Sequence, residues 1–226
     1  MGDLFYKKST SNRQPRVPSP KHPTAEPIAS DVIERMHQQL SSQQRVGLQT
    51  ERMLTDEVID NYRLGCTELR DEVRLAIPIA DGQGVYRDVR LWLHPRARKA
   101  GSAKVLHWAK GYGAPRLYPI DQIEYDELVF CEGELDALAL ISAGVHAVTL
   151  TAGADTAPTA EDAQKFRGKI VTLLMDNDEA GRRGAERRAA VVVQHAQAVK
   201  IAHWPEERSE KWDVTDELKE HSDEHK

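Results

Sequence analysis

Two carboxylates separated by a single residue close an apolar run in Val171-Thr-Leu-Leu-Met-Asp176-Asn-Asp178-Glu-Ala-Gly181. If the strand continues through both acids, alternate side chains share a face, so Asp176 and Asp178 point the same way. Paired carboxylates repel each other unless a cation lies between them, and hard oxygen ligands suit Mg²⁺ or Mn²⁺. A second segment, Leu128-Val-Phe-Cys-Glu132-Gly133-Glu-Leu-Asp136, again runs from apolar residues into an acid. There Gly133 permits a tight turn, and Asp136 falls in the first turn of the helix that follows, where negative charge is favoured. A third acidic segment, Lys211-Trp-Asp213-Val-Thr-Asp216-Glu-Leu, lies near the end of the sequence. Open α/β sheets bind ligands beyond the carboxyl ends of their strands, which is where Glu132, Asp176 and Asp178 would sit.

The elements that must position these acids follow from periodicity. The pattern predicts strand 128–131, helix 134–143, strand 146–150, helix 159–166, strand 169–175, helix 179–197 and strand 199–203. Strands alternating with helices through short connections give an α/β fold with a mainly parallel central sheet flanked by helices. The small-residue loop Thr151-Ala-Gly153-Ala154 reads as a strand-to-helix connection, and Trp204-Pro205 as the end of a strand. Arg182, Arg183, Arg187 and Arg188 read as a solvated helix face paired with Glu186.

Upstream the pattern differs. Residues 1–30, rich in Ser, Pro and basic side chains, read as a flexible basic tail. Asp31 is expected to cap a helix through Val32, Ile33, Met36 and Leu40, and Thr55 a second helix reaching Tyr62. Ala76-Ile-Pro-Ile-Ala, the turn Asp81-Gly82-Gln-Gly84 and the alternating run from Val85 predict a hairpin. Residues 95–113, rich in Gly, Lys and Arg, are expected to loop out. The domain organisation expected is therefore a tail (1–30), a small mixed α+β basic subdomain (31–120), a catalytic domain (121–204) and an acidic segment completing the metal site (205–226).

Composition sharpens this division. The net charge of −5 would argue against nucleic acid as a partner, but charge is segregated. Between Val85 and Arg116 the basic residues Arg87, Arg90, Arg96, Arg98, Lys99, Lys104, Lys110 and Arg116 face the single acid Asp88. A basic region suits phosphates, and an acidic one suits metals. Tyr86, Trp92, Trp108 and Tyr112 interleave with the cations as candidates for stacking on unpaired bases, with Trp92 equally suited to a core. Cys66 and Cys131 are far apart and indicate neither a disulfide framework nor a zinc site. No apolar run is long enough to span a membrane and no signal peptide is visible, so a cytoplasmic protein is expected.

The Glu132-Gly133-x-x-Asp136 element on one strand, followed by Asp176-x-Asp178-x-x-Gly181 on another, resembles the toprim domain shared by bacterial-type primases, topoisomerases and some nucleases. Upstream, Leu54-Thr-Asp-Glu-Val-Ile-Asp-Asn-Tyr62-Arg-Leu-Gly65, Ile77-Pro-Ile79 with Asp81-Gly82, Val89-Arg90-Leu, Lys110-Gly111-Tyr-Gly113 and Leu117-Tyr118-Pro119 are similar to the subdomain preceding the toprim fold in DnaG-type and phage primases. The resemblance covers roughly residues 36–218.

It implies an RNA polymerase core that copies single-stranded DNA into short RNA primers from ribonucleoside triphosphates during DNA replication. By the same resemblance Glu132, Asp176 and Asp178 are catalytic. With Asp213 they hold Mg²⁺ or Mn²⁺, two ions being expected, while Asp136 and Asp216 are weaker members. Arg90, Lys99, Lys104 and Lys110 are assigned to nucleic acid and nucleotide. No zinc-binding cysteine cluster and no helicase motor accompany the core, so a replicative helicase or a separate zinc-binding protein is the expected partner. A toprim nuclease and a catalytically idle DNA-binding replication adaptor are the alternatives that the acidic motifs leave open.

Overall fold

In the computed structural model, residues 25–153 and 155–224 are described; most of the expected tail, 1–24, lies outside them. The chain divides into two compact units, one of His22–Gly113 and one that begins at Ala114.

The first unit places helices α1 (Ser30–Gln38), α2 (Ser42–Arg52) and α3 (Asp56–Asn61) before an antiparallel sheet. Its strands β1 (Gly65–Leu69), β2 (Glu72–Ala80), β3 (Tyr86–Trp92) and β4 (Val105–His107) lie in that order. The expected hairpin is β2–β3, with Pro78 opposite Val89 and a bulge at Ile79/Ala80. Its turn is organised by Asp81, which accepts from the amides of Gln83 and Val85 and pairs with Arg87 at 2.7 Å.

Four features differ from the sequence reading. Helix α1 starts at Ser30 with Ala29 as N-cap, so Asp31 sits inside the first turn and pairs with Arg35. Helix α2 is largely polar and buries only Leu48, so periodicity gives little sign of it; its marker is the capping box in which Ser41 and Gln44 bond reciprocally. Residues 95–113 do not simply loop out, because β4 pairs with β3 and sets His107 opposite Arg90. Ile28, within the stretch read as tail, is buried and bridges Tyr86.

The second unit contains β5 (Leu117–Tyr118), β6 (Glu127–Cys131), α4 (Glu134–Ser142), β7 (Ala147–Leu150), α5 (Ala160–Gln164), β8 (Ile170–Leu174), α6 (Glu179–Val192), β9 (Ala198–Ile201) and α7 (Val214–Glu224). The sheet order is β5-β7-β6-β8-β9, all parallel except β5, which runs antiparallel to β7. Leu117 and Tyr118, grouped by sequence with the basic subdomain, thus belong to this sheet. The chain leaves β6 through α4 toward β7 on one side and leaves β8 through α6 toward β9 on the other. The seam between the carboxyl ends of β6 and β8 is therefore a topological switch point. Beneath it Phe130 stacks on Phe166 at 5.5 Å between centroids, among Leu128, Val148, Val171, Leu173 and Ala189. No helix among the described residues is long and apolar enough to cross a membrane.

Gly65 shows how closely α1 lies on β1, because a Cβ there would stand 2.4 Å from the Met36 carbonyl carbon and oxygen, both backbone atoms. Gly65→Ala is expected to destabilise the protein by about 1–3 kcal/mol, read from the midpoint of urea unfolding. An unchanged midpoint would mean that α1 lifts from the sheet without cost.

Candidate active site

Glu132 is the first residue beyond β6, and its Oε2 lies 3.4 Å from the backbone N–H of Asp176, joining the two strand ends across the switch point. Asp176 and Asp178 do not share a strand face as the alternation argument required. Strand β8 stops at Leu174, and the Asp178 amide turns back to donate to the Asp176 carbonyl at 2.8 Å. Helix α6 forces this bend. Asp178 is its N-cap, accepting from Gly181 N at 2.7 Å, and Gly181 passes so close that a Cβ would lie 2.3 Å from the Asp176 carbonyl oxygen.

Asn177 brings in the third acidic segment. Its N–H donates to Trp212 O at 2.9 Å, its carbonyl accepts from Lys211 N at 2.9 Å, and its side-chain amide donates to Arg208 O and Ser209 O. This clamp delivers Asp213, the residue after Trp212, to the end of β8. Asp213 and Asp216 bond each other's amides at 2.9 and 3.4 Å ahead of α7, and Asp136 accepts from Gly133 N at 3.2 Å ahead of α4.

Among the described residues no three His, Cys, Asp or Glu side chains form a group that could hold a metal ion. The donor chemistry nonetheless fits a hard divalent cation, since all the candidates are carboxylates. An acid that caps a helix with one oxygen retains a second for coordination. The structure thus joins Glu132 to Asp176 and ties Asp213 to the same strand end, without closing a cage of acids.

In the first unit Asp88, the one acid of the basic stretch, is buried. Its Oδ1 accepts from the amides of Val89 and Trp108, and its Oδ2 lies 2.7 Å from His107 Nδ1. Arg90 in turn sets Nη1 2.9 and 3.0 Å from the two His107 ring nitrogens. Lys99, Lys104 and Lys110 are exposed. Trp92 is a core residue, buried with Arg52 packed 4.8 Å from its ring centroid, and is not available for stacking on bases. Trp108 and Tyr112 are half-buried against the Ile33–Met36 cluster, and Tyr112 donates to Glu26 O. Both cysteines are free and buried, and burial pushes the Cys66 thiol up to about 11.

Residues 129–217 match the Toprim-like family. No curated protein sequence matches the chain. Among solved structures, the Aquifex aeolicus primase, comprising zinc-binding and RNA polymerase domains, superposes with a TM-score of 0.66 at 19% identity. That similarity covers 87% of this chain, which spans only 57% of the Aquifex one. A DNA primase domain from Pseudomonas aeruginosa gives 0.63 at 22% identity, over 85% of this chain and 73% of its own. The primase fragment of the bacteriophage T7 primase-helicase protein gives 0.50 at 20% identity, over 77% and 70%. The chain has the fold of a toprim primase core. Its α/β class and mainly parallel sheet are those expected from sequence.

What holds the strand ends of the toprim core together was missed in the sequence. Arg188 is not part of a solvated face but fully buried. Its Nη1 donates to Cys131 O at 2.8 Å, its Nη2 to Gly153 O at 3.0 Å and its Nε to Thr156 O at 3.3 Å, while the guanidinium lies 4.7 Å from the Phe130 ring centroid. Burial lowers its pKa from the ordinary value, opposed by the negative charges of Glu132 and Glu134. Its neighbours do stay outside: Arg183 pairs with Glu179 at 2.5 Å, and Arg187 with Asp155 at 3.0 Å. Helical spacing was the available signal, because Gly181, Ala185, Arg188 and Val192 fall on one buried stripe of α6. Thr149 reinforces the same turn, with Oγ1 2.9 and 2.7 Å from the carbonyls of Cys131 and Glu132. Trp204 does not end a strand, since β9 stops at Ile201; its indole N–H donates to Met175 O at 2.7 Å.

Arg188→Met retains bulk but leaves carbonyls of Cys131, Gly153 and Thr156 without this donor. A loss of about 3 kcal/mol in urea unfolding is expected. A loss well under about 1 kcal/mol would mean that water replaces the guanidinium at no cost.

Proposed function

We propose that this chain is a primase-type nucleotidyltransferase that joins ribonucleoside triphosphates into short RNA primers on single-stranded DNA. The observation that carries the reading is the meeting of Glu132 and Asp176 at the switch point of a primase-core fold, with Asp178 and Asp213 on the adjoining loops. Glu132, Asp176, Asp178 and Asp213 would hold Mg²⁺ or Mn²⁺, two ions in this reading. Such ions, when bound, acidify an attacking hydroxyl and neutralise phosphate charge.

The remaining work falls to the chain's own groups. Glu132 would either complete the metal shell or accept the proton of the 3′-hydroxyl that displaces pyrophosphate, a role that typically contributes about 10²- to 10⁴-fold. Asp178 holds the start of α6 while presenting its second oxygen. Arg90, Lys99, Lys104 and Lys110 would grip the template backbone and the triphosphate, which makes binding strongly salt-dependent. A replicative helicase or a separate zinc-binding protein is the partner this reading calls for, in the cytoplasm where replicating DNA is found.

Single-stranded DNA with labelled ribonucleotides and Mg²⁺ or Mn²⁺ tests the reading directly. Labelled oligomers are expected. Shortened DNA without labelled product would instead make the chain a toprim nuclease, and neither product would make it an idle adaptor. Asn is as good an N-cap as Asp, so Asp178→Asn removes charge and spares the helix. It is expected to cut incorporation at least about 100-fold with DNA binding intact, and full incorporation would put the ions elsewhere.

Replacing Lys104 and Lys110 together by Ala should weaken single-stranded DNA binding. It should also flatten the slope of log affinity against log salt by about 1.4, from roughly 0.7 per phosphate contact. An unaltered slope in a fluorescence anisotropy titration would send the backbone contact to other residues.

A further inference from the structure

A cavity of about 740 Å³ opens at the carboxyl ends of β8 and β9, beside Asp176 but against α6 rather than in the β6–β8 seam. We propose that this cavity receives the base and ribose of a nucleotide whose phosphates remain at Asp176, a proposal that rests on the nucleotidyltransferase reading above. Its size lies in the range of small-molecule sites. Helix α6 lines it with Gly181, closed against the Asp176 carbonyl, with the small Ala185, and with Arg182 and Glu186. Trp204 also lines it, and its indole N–H is already bonded to Met175 O at 2.7 Å. The indole is therefore held in a fixed, half-buried position with no polar demand left unmet, which suits its ring face to stacking on a base.

Charge decides which part of a nucleotide belongs inside. Asp176, Glu186 and Glu206 line the cavity against the single arginine Arg182, with His203 as the remaining titratable ring. An oligophosphate would be repelled from such an interior, whereas an uncharged base and ribose would not. With the divalent ions of the reading above bound there, the phosphates would stay at the mouth, where Asp176 meets Glu132. Arg182 and Glu186 make no ion pair among the described residues, although they stand four apart on α6. The exposed pair offers donors and an acceptor to the edge of a base or to ribose hydroxyls.

The test is photolabelling of the whole chain by 8-azidoadenosine triphosphate with Mg²⁺, followed by peptide mapping. Label within 201–206 or 181–186 that excess ATP competes away is expected. Label confined to 85–116, or none at saturating nucleotide, overturns the proposal. Steady-state kinetics give a second reading: Trp204→Ala should raise KM for ATP about tenfold with a smaller change in kcat, and Trp204→Phe, which keeps a ring, should raise it less. Equal and unchanged KM in both variants overturns the proposal, and the labelling of the unsubstituted chain stands if either variant fails to fold. Labelling needs binding and not synthesis. Primers made by a chain labelled elsewhere sink the cavity alone, whereas a chain labelled in the cavity that makes no primers sinks the primase reading alone.

Discussion

The buried guanidinium of Arg188 is the constraint on which the rest of the second unit depends. A charge with no exposed surface is tolerated only when its donors are used, and here they reach carbonyls at Cys131, Gly153 and Thr156 with the Phe130 ring packed at 4.7 Å. Cys131 ends β6, and Gly153 and Thr156 lie in the connection after β7. One side chain from α6 therefore sets the relation between loops that follow different strands. Glu132 is the next residue after a carbonyl so held, which makes the position of the first acid a consequence of packing in the core.

Around this point the polar groups serve structure and chemistry together. Asp178, Asp136 and Asp213 each accept a backbone N–H at a helix start, so the folding of α6, α4 and α7 orients carboxylates that sequence analysis selected for metal chemistry. Asn177, between the two candidate acids, uses its backbone and its amide to draw in Arg208, Ser209 and Trp212. The segment carrying Asp213 is thereby recruited to the strand end. A substitution among these residues acts on stability and on any bound ion at once, so measurements of each must be read together.

In the first unit the charge pattern has a simple physical outcome. The lone acid of the basic stretch is spent inside, on His107 and two amides, while Lys99, Lys104 and Lys110 remain exposed. The surface is thus more cationic than the composition of the segment indicates. The aromatic residues between these cations follow the opposite course, since Trp92 is taken entirely into the core and Trp108 and Tyr112 partly so.

Periodicity and turn chemistry were enough to place the parallel sheet, the β2–β3 hairpin and the strand-end position of Glu132, because apolar alternation and helical spacing are local properties of the chain. Local signals also marked the cap at Thr55 and, unread, the Ser41–Gln44 box of α2. What they could not show is where a strand stops when another element claims its end. The bend between Asp176 and Asp178 exists because Gly181 packs onto the Asp176 carbonyl, a contact that forms only once α6 has docked. Nor could arginines clustered in sequence reveal that Arg188 alone turns inward, because its partners come from residues far away in the chain. The kinds of side chain available for chemistry were written in the sequence; their distances, and the cavity behind Asp176, were decided by tertiary packing, since each depends on backbone atoms that only the folded sheet brings together.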